Sequence, residues 1–162
     1  MQTPGQRKGN ARWPTGAPGR RTLCAMSGRV RLHDSARGVI DYALARRAAL
    51  SGLASGRMRK QDVCDAQPYL LRAARFHGER SPDQCPVCRT DSMKTVTYAY
   101  GDCFRGEANG RARATKEIAE LAAQMPDFTV FVVEVCIACK WNHLLASYVL
   151  GTGEPLKRRA RS

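Results

Sequence analysis

Phe128-Thr129-Val130-Phe131-Val132-Val133-Glu134-Val135 runs directly into Cys136-Ile137-Ala138-Cys139, and Lys140 and Trp141 follow. The first eight residues are apolar on both faces and rich in β-branched and aromatic side chains, which predicts a central strand. The next four form a C-x-x-C turn. An earlier one, Cys85-Pro86-Val87-Cys88, is separated from it by 47 residues. A two-residue gap lets one tight turn offer both sulfurs to a single ion. Pro86 suits that turn because its φ is already fixed and its missing N–H is not needed. Together the turns supply four thiolates, the donor set of tetrahedral Zn²⁺. The expected ligands are Cys85, Cys88, Cys136 and Cys139, holding one structural zinc. The gap exceeds the roughly 15–20 residues of compact zinc sites, so an insert carrying a helix has to lie between the turns. Thiol redox chemistry is the rival reading, but it calls for a single C-x-x-C near a βαβ pattern. Spacing alone also admits iron.

Outward from this pair, the strand Met93 to Tyr100 alternates. Lys94, Val96, Tyr98 and Tyr100 share one face, and Thr95, Thr97 and Ala99 share the other. Residues 101–113 hold three Gly and three Arg and read as a mobile loop. Thr115 is the expected cap of a helix with Ile118, Leu121, Ala122 and Met125 on one face, stopped by Pro126. Trp141 to about Leu150 reads as a third strand. On the N-terminal side, Asp34 or Ser35 is expected to cap a helix running to about Ser51, with Arg46 and Arg47 turned outward. A short helix is expected near Lys60–Cys64. A clearer one opens at Pro68 and ends at Gly78. The expected fold class is α+β: N-terminal helices packed on a small three-stranded antiparallel zinc-ribbon-like sheet with an inserted helix.

The chain has 162 residues, which suits one domain. Residues 1–25 carry five basic residues and no acid, and lack core-forming side chains, so they read as a disordered leader. Met26 follows directly and reads as an alternative start. Residues 26–153 form the expected domain, and residues 154–162 a basic tail. The two tails carry +8 of the formal net charge of +13. Such a chain favours polyanions, and RNA and ribosomes are the commonest in the cytosol. No run of 18 apolar residues exists to span a membrane, and the basic N-terminus lacks the apolar stretch of a secretory signal. Seven cysteines, four of them in C-x-x-C pairs, fit a reducing cytoplasm with zinc better than a disulfide framework.

Several segments carry a narrower likeness. They are Asp62-Val63-Cys64-Asp65-Ala66, Pro68 to Gly78, Cys85-Pro86-Val87-Cys88-Arg89, Val133-Glu134-Val135-Cys136 with Cys139, Trp141-Asn142-His143-Leu144, and Ser147-Tyr148-Val149-Leu150-Gly151. Together they resemble a family of small actinobacterial proteins catalogued as a domain of unknown function. The resemblance covers residues 34–151, leaves both tails outside, and implies a cytosolic protein without implying an activity.

No Ser/His/Asp order, paired carboxylates or phosphate-cradling Gly loop appears, so a non-enzymatic role is expected. A closed four-thiolate site leaves no open position for water. Two roles are consistent with the residues. One is a zinc-stabilised module that binds RNA, the ribosome or RNA polymerase. It would use Lys94, Arg105, Arg111, Arg113, Lys140 and the tail's Lys157, Arg158, Arg159 and Arg161, with Tyr98, Tyr100, Phe104 and Trp141 as stacking groups. The other is an adaptor that presents Trp141 and Tyr148 to a protein partner. His143 is a candidate second-shell support for the metal, and Cys64 reads as a small buried residue.

Overall fold

The computed structural model describes residue 30 and residues 32–153. The leader and the tail, with Lys157, Arg158, Arg159 and Arg161, lie outside them. Within them the chain forms β1 (Arg37–Asp41), α1 (Ala43–Ala54), α2 (Lys60–Val63), α3 (Pro68–His77), β2 (Glu79–Arg80) and β3 (Met93–Tyr100). After a 3₁₀ turn at Gly106–Ala108 come β4 (Arg111–Arg113), α4 (Thr115–Gln124), β5 (Phe128–Cys136) and β6 (Asn142–Leu150). The α+β class holds, but the sheet has six strands rather than three, in the order β1-β6-β5-β3-β2 with β4 also on β3. All its pairings are antiparallel. The three expected strands are its centre, and the additional ones are short edges.

Each edge corrects the sequence reading in a specific way. Residues 37–41 do not begin a helix. Gly38 and the β-branched Val39 and Ile40 are weak helix formers, and the segment pairs with β6, with a register shift beside Gly38, whose φ is 56°. The helix begins only at Ala43, whose N–H donates to Asp41 Oδ1 at 2.7 Å. The expected mobile loop 101–113 contains the 3₁₀ turn and β4, which pairs Arg113 with Thr97 and Arg111 with Ala99. Thr115 is the first helical residue of α4 rather than its cap. Its N–H is satisfied by Glu79 Oε1 at 3.1 Å.

The sheet buries both faces, unequally. On one face Val96, Tyr98 and Val135 pack under Ala73 and Ala74 of α3. The opposite face has two halves. At one end α4 sets Ile118 and Ala122 against Phe128, Val130 and Leu150. At the other end α1 and α2 bring Leu50, Leu53 and Val63 against Met93, Cys136 and Trp141. Fully buried side chains such as Phe128, Val130 and Leu150 each contribute about 1.5–3 kcal/mol. The strongest N-terminal surprise is Arg46, expected outside. It is buried on α1 and donates through Nε to Glu134 Oε1 at 2.5 Å.

Candidate metal centre

The register of β3 against β5 explains how turns 47 residues apart in sequence meet. Met93, the first residue of β3, lies opposite Cys136, the last residue of β5. The chain leaves the first turn along β3, passes through β4 and α4, and returns antiparallel along β5 to the same end of the sheet. The inserted helix lies within this excursion and does not strain the site.

The ligand atoms of Cys85, Cys88, Cys136 and Cys139 all lie within 4.8 Å of one another. Cys85 and Cys139 sulfurs are 3.6 Å apart, as are those of Cys88 and Cys136. The two turns are built alike. Arg89 N–H donates to Cys85 O at 2.9 Å, and Lys140 N–H to Cys136 O at 3.0 Å. Cys85 N–H donates to Thr90 O at 2.9 Å, and Cys136 N–H to Trp141 O at 2.8 Å. Arg89 and Lys140, each immediately after the second cysteine, hold φ of 62° and 68°. Only these non-glycine residues take a left-handed conformation among the described residues. Such a conformation costs energy and persists where the surroundings fix it. Here it aims both sulfurs of a turn at one point. Ile137 N–H also donates to Ser92 O at 3.1 Å, tying the second turn to the chain that follows the first.

Burial and local hydrogen bonds set three of the thiols apart. Burial pushes Cys85 up to about 11 and also raises Cys139. Burial acts the same way at Cys88, but the Thr90 hydroxyl, 3.1 Å from its sulfur, outweighs it together with the Thr90 backbone and the neighbouring thiols. That thiol is drawn down to about 6. Thiolates are the metal-binding form, and Arg89 and Lys140 stand beside the set with positive charge. The arrangement can hold a metal ion with all four positions filled by sulfur, and such an ion would join the turn before β3 to the end of β5.

Behind the centre, Trp141 is 0% exposed. Its Nε1 donates to Glu134 Oε1 at 2.9 Å, the Arg46 guanidinium lies over its ring at 6.0 Å from the centroid, and the His143 ring stacks on it. Trp141 is therefore not a base-stacking or partner-binding group, because no face of the indole meets solvent. Tyr148, the other aromatic expected of an adaptor, is buried as well, as are Tyr98 and Phe104. The His143 ring stacks on Trp141, and its Nδ1 lies 2.6 Å from the carbonyl oxygen of Leu144.

The expected phosphate contacts are not brought into one patch. Lys94 pairs with Val135 near the metal end, whereas Arg111 pairs with Ala99 five residues further along β3, about 17 Å away. Arg105 and Lys140 are exposed, at opposite ends of the sheet. Arg113 is taken up by structure: it pairs with Glu117, donates to Ala108 O at 3.2 Å and lies 5.1 Å over the Phe104 ring.

Two surface features stand out instead. On α3, Tyr69 (61% exposed), Arg72, Arg75 and Phe76 (77% exposed) lie on the solvent side at helical spacing. Leu71, Arg72, Arg75 and Phe76 share a shallow hollow of about 380 Å³. On the other flank of α3, a wider groove of about 770 Å³ runs over the open sheet face. Tyr69, Tyr98, Tyr100, Phe131 and Leu144 line it, and no charged side chain does. Nothing local in the sequence set Tyr69 and Phe76 apart from core-forming aromatics, since both rings are of the kind the interior usually takes.

The fold and the four-thiol cluster define an α+β protein with a set of four cysteines able to hold a metal ion, and no helix of the described residues is long and apolar enough to cross a membrane. Residues 33–162 match the Family of unknown function (DUF5318), and the chain belongs to that family. The match extends the sequence resemblance at its C-terminal end, since it takes in the basic tail. Uncharacterised proteins of Mycobacterium bovis and of two Mycobacterium tuberculosis strains are each 47% identical to it over 118 residues, 73% of this chain and 85% of theirs. No solved structure matches the chain.

Proposed function

We propose that this protein is a non-enzymatic, zinc-stapled binding module whose partner is a polyanion, RNA or the ribosome. Zinc is favoured by the donor set and its spacing. A tetrahedron with metal–sulfur bonds of about 2.3 Å has edges of about 3.8 Å, and the cross-turn pairs Cys85–Cys139 and Cys88–Cys136 stand at 3.6 Å. A zinc site filled by four thiolates keeps no position for a substrate or water, so the metal organises the surface and performs no reaction.

The polyanion reading is carried by α3, where Arg72 and Arg75 are exposed beside Phe76 and close to Tyr69. Guanidinium groups pair with phosphate and exposed rings stack on unpaired bases. The formal net charge of +13 adds a long-range attraction. RNA polymerase remains a partner of the same class when it carries nucleic acid. A protein–protein adaptor is the second reading, favoured by the uncharged lining of the groove beside α3.

Metal analysis of the native protein should find one zinc per chain. Co-sedimentation with ribosomes and total RNA across a salt series then separates the partners. A polyanion contact weakens steeply with salt, and Arg72→Ala with Arg75→Ala should lower binding and flatten the slope. Retention that is indifferent to both salt and these substitutions supports the adaptor instead.

A further inference from the structure

A fifth sulfur stands beside the centre. Cys64 is the C-cap of α2, and its Sγ lies 3.8 Å from Sγ of Cys139. The four-thiol cluster closes without it. The segment that carries it is fastened at both ends. Cys64 N–H donates to Lys60 O at 2.9 Å, Ala66 N–H donates to Lys140 O at 3.0 Å, and Asn142 Nδ2 donates to Asp65 Oδ1 at 2.9 Å. Residues 64–66 are thereby held against the second turn, with the Cys64 thiol facing one particular ligand. Cys85 and Cys136 are 0% exposed, whereas Cys64, Cys88 and Cys139 are half-buried. A small oxidant arriving from solvent reaches Cys139 before either buried ligand, and the sulfur next to it that belongs to no ligand set is Cys64.

We propose that Cys64 and Cys139 form a hydroperoxide-sensitive dithiol that closes to a disulfide and detaches Cys139 from the metal. The inference rests on the zinc reading of the four-thiol cluster. The Cys139 thiolate attacks one oxygen of hydrogen peroxide, forming an S–O bond as the O–O bond breaks, and the departing hydroxide takes a proton from solvent to become water. The Cys64 sulfur then attacks the Cys139 sulfur. An S–S bond forms, the S–O bond breaks, and the departing hydroxide takes the Cys64 proton and leaves as a second water. The peroxide gains two electrons, one from each sulfur. Bond formation needs the sulfurs to close from 3.8 Å to about 2.05 Å, a local movement at the end of a four-residue helix. Cys139 then has no thiolate to give, and three ligands hold the ion less tightly than four.

The test uses the full chain as isolated, with its zinc content measured first. Stoichiometric hydrogen peroxide is added, zinc release is followed with a chromogenic chelator, and disulfides are mapped by mass spectrometry without reduction. Wild type should release zinc as a Cys64–Cys139 linked peptide accumulates, and reductant with added zinc should reverse both. Cys64→Ser with the same zinc content should give no linked peptide and should carry Cys139 on to the sulfinic acid, so that reductant with added zinc restores less of the site than in wild type. Wild-type disulfides that leave Cys64 out, Cys85–Cys139 and Cys88–Cys136 included, overturn the proposal, as does equal recovery of wild type and Cys64→Ser on reduction. A chain isolated without zinc overturns the zinc reading instead, and the linked peptide alone then decides whether the dithiol exists. The mapping needs no variant, so a Cys64→Ser protein that fails to fold does not protect the idea.

Discussion

Arg46 of α1 and Glu134 of β5 form a buried ion pair, with Nε to Oε1 at 2.5 Å and Nη2 to Oε2 at 3.3 Å. Both residues are less than a tenth exposed, and Glu134 also accepts the Trp141 indole N–H. Glu134 stands two residues before the ligand Cys136, so the pair locks α1 to the strand that delivers half of the metal centre. Breaking such a pair from one side leaves a buried charge without its partner and costs about 3–5 kcal/mol. Arg46→Ala and Glu134→Ala should each lower the melting temperature by roughly 6–20 °C for a domain of this size. Arg46→Ala combined with Glu134→Ala should lose less than the two single changes summed. Thermal melts of the double-mutant cycle check this, and an additive result would show that the two side chains are independent.

Cys136→Ser removes one ligand from a centre that joins β3 to β5. Structural zinc sites contribute about 10–16 kcal/mol in small finger peptides, which matches or exceeds the ~5–15 kcal/mol net stability of a typical domain. The variant should therefore be unfolded or aggregated, and chelation of wild type should give the same circular-dichroism spectrum. A variant that melts like wild type would remove the staple from the account.

Arg89 and Lys140 hold left-handed backbone at 62° and 68°, where glycine is free of strain. Arg89→Gly and Lys140→Gly should keep the metal and raise stability by about 0.5–1 kcal/mol, the relieved strain outweighing the added freedom of the unfolded chain. Valine at either position should do the opposite, because β-branched residues tolerate that region poorly. Denaturant melts with parallel zinc analysis measure both.

Tyr98 gives a prediction in pH. Burial pushes its hydroxyl up to about 12, helped by Tyr69 and Tyr100. An unfolded tyrosine ionises near 10. The folded state therefore prefers the neutral phenol, and this contribution is fully present below about pH 10 and lost as pH rises through about 12. Tyr98→Phe should move the alkaline unfolding midpoint upward while changing little at pH 7. Absorbance at the phenolate band, followed alongside circular dichroism, tests it. An unchanged midpoint would mean that Tyr98 ionises without opposing the fold.

The centre of the sheet was legible in the sequence because its signals are local. β3 alternates, β5 is apolar on both faces, and Pro68 and Gly78 bracket α3. The paired turns gave the four-cysteine set directly, and the structure brings those sulfurs together. What sequence missed depends on pairing over long distances. β1, β2 and β4 are short edge strands, with no periodicity of their own, that form because β6 and β3 offer free hydrogen-bonding edges. Arg46 looked like one of several surface arginines because its partner lies 88 residues away. Trp141, flanked by Lys140 and Asn142, looked exposed; the Glu134 carboxylate that satisfies its N–H and lets it enter the core is visible only once β5 and β6 are paired. Cys64 read as a small buried residue because Cys139, 75 residues on, gives no local sign of its approach.

The antiparallel return of β5 along β3 also sets the order in which the molecule can be completed. A chain emerging from its N-terminus presents Cys85 and Cys88, then β3, well before β5 and the second turn exist. Until Cys136 and Cys139 arrive, an ion has only two of its four sulfurs, and β3 has no central neighbour on its β5 side. Closing the 47-residue excursion costs loop entropy that the β3–β5 ladder and the ion offset together. An ion can therefore meet all four sulfurs only after β5 and the second turn have been made. A chain truncated before Phe128 keeps the first turn, all four α-helices of the described residues and half of the site, yet lacks the strand that would make them a single folding unit.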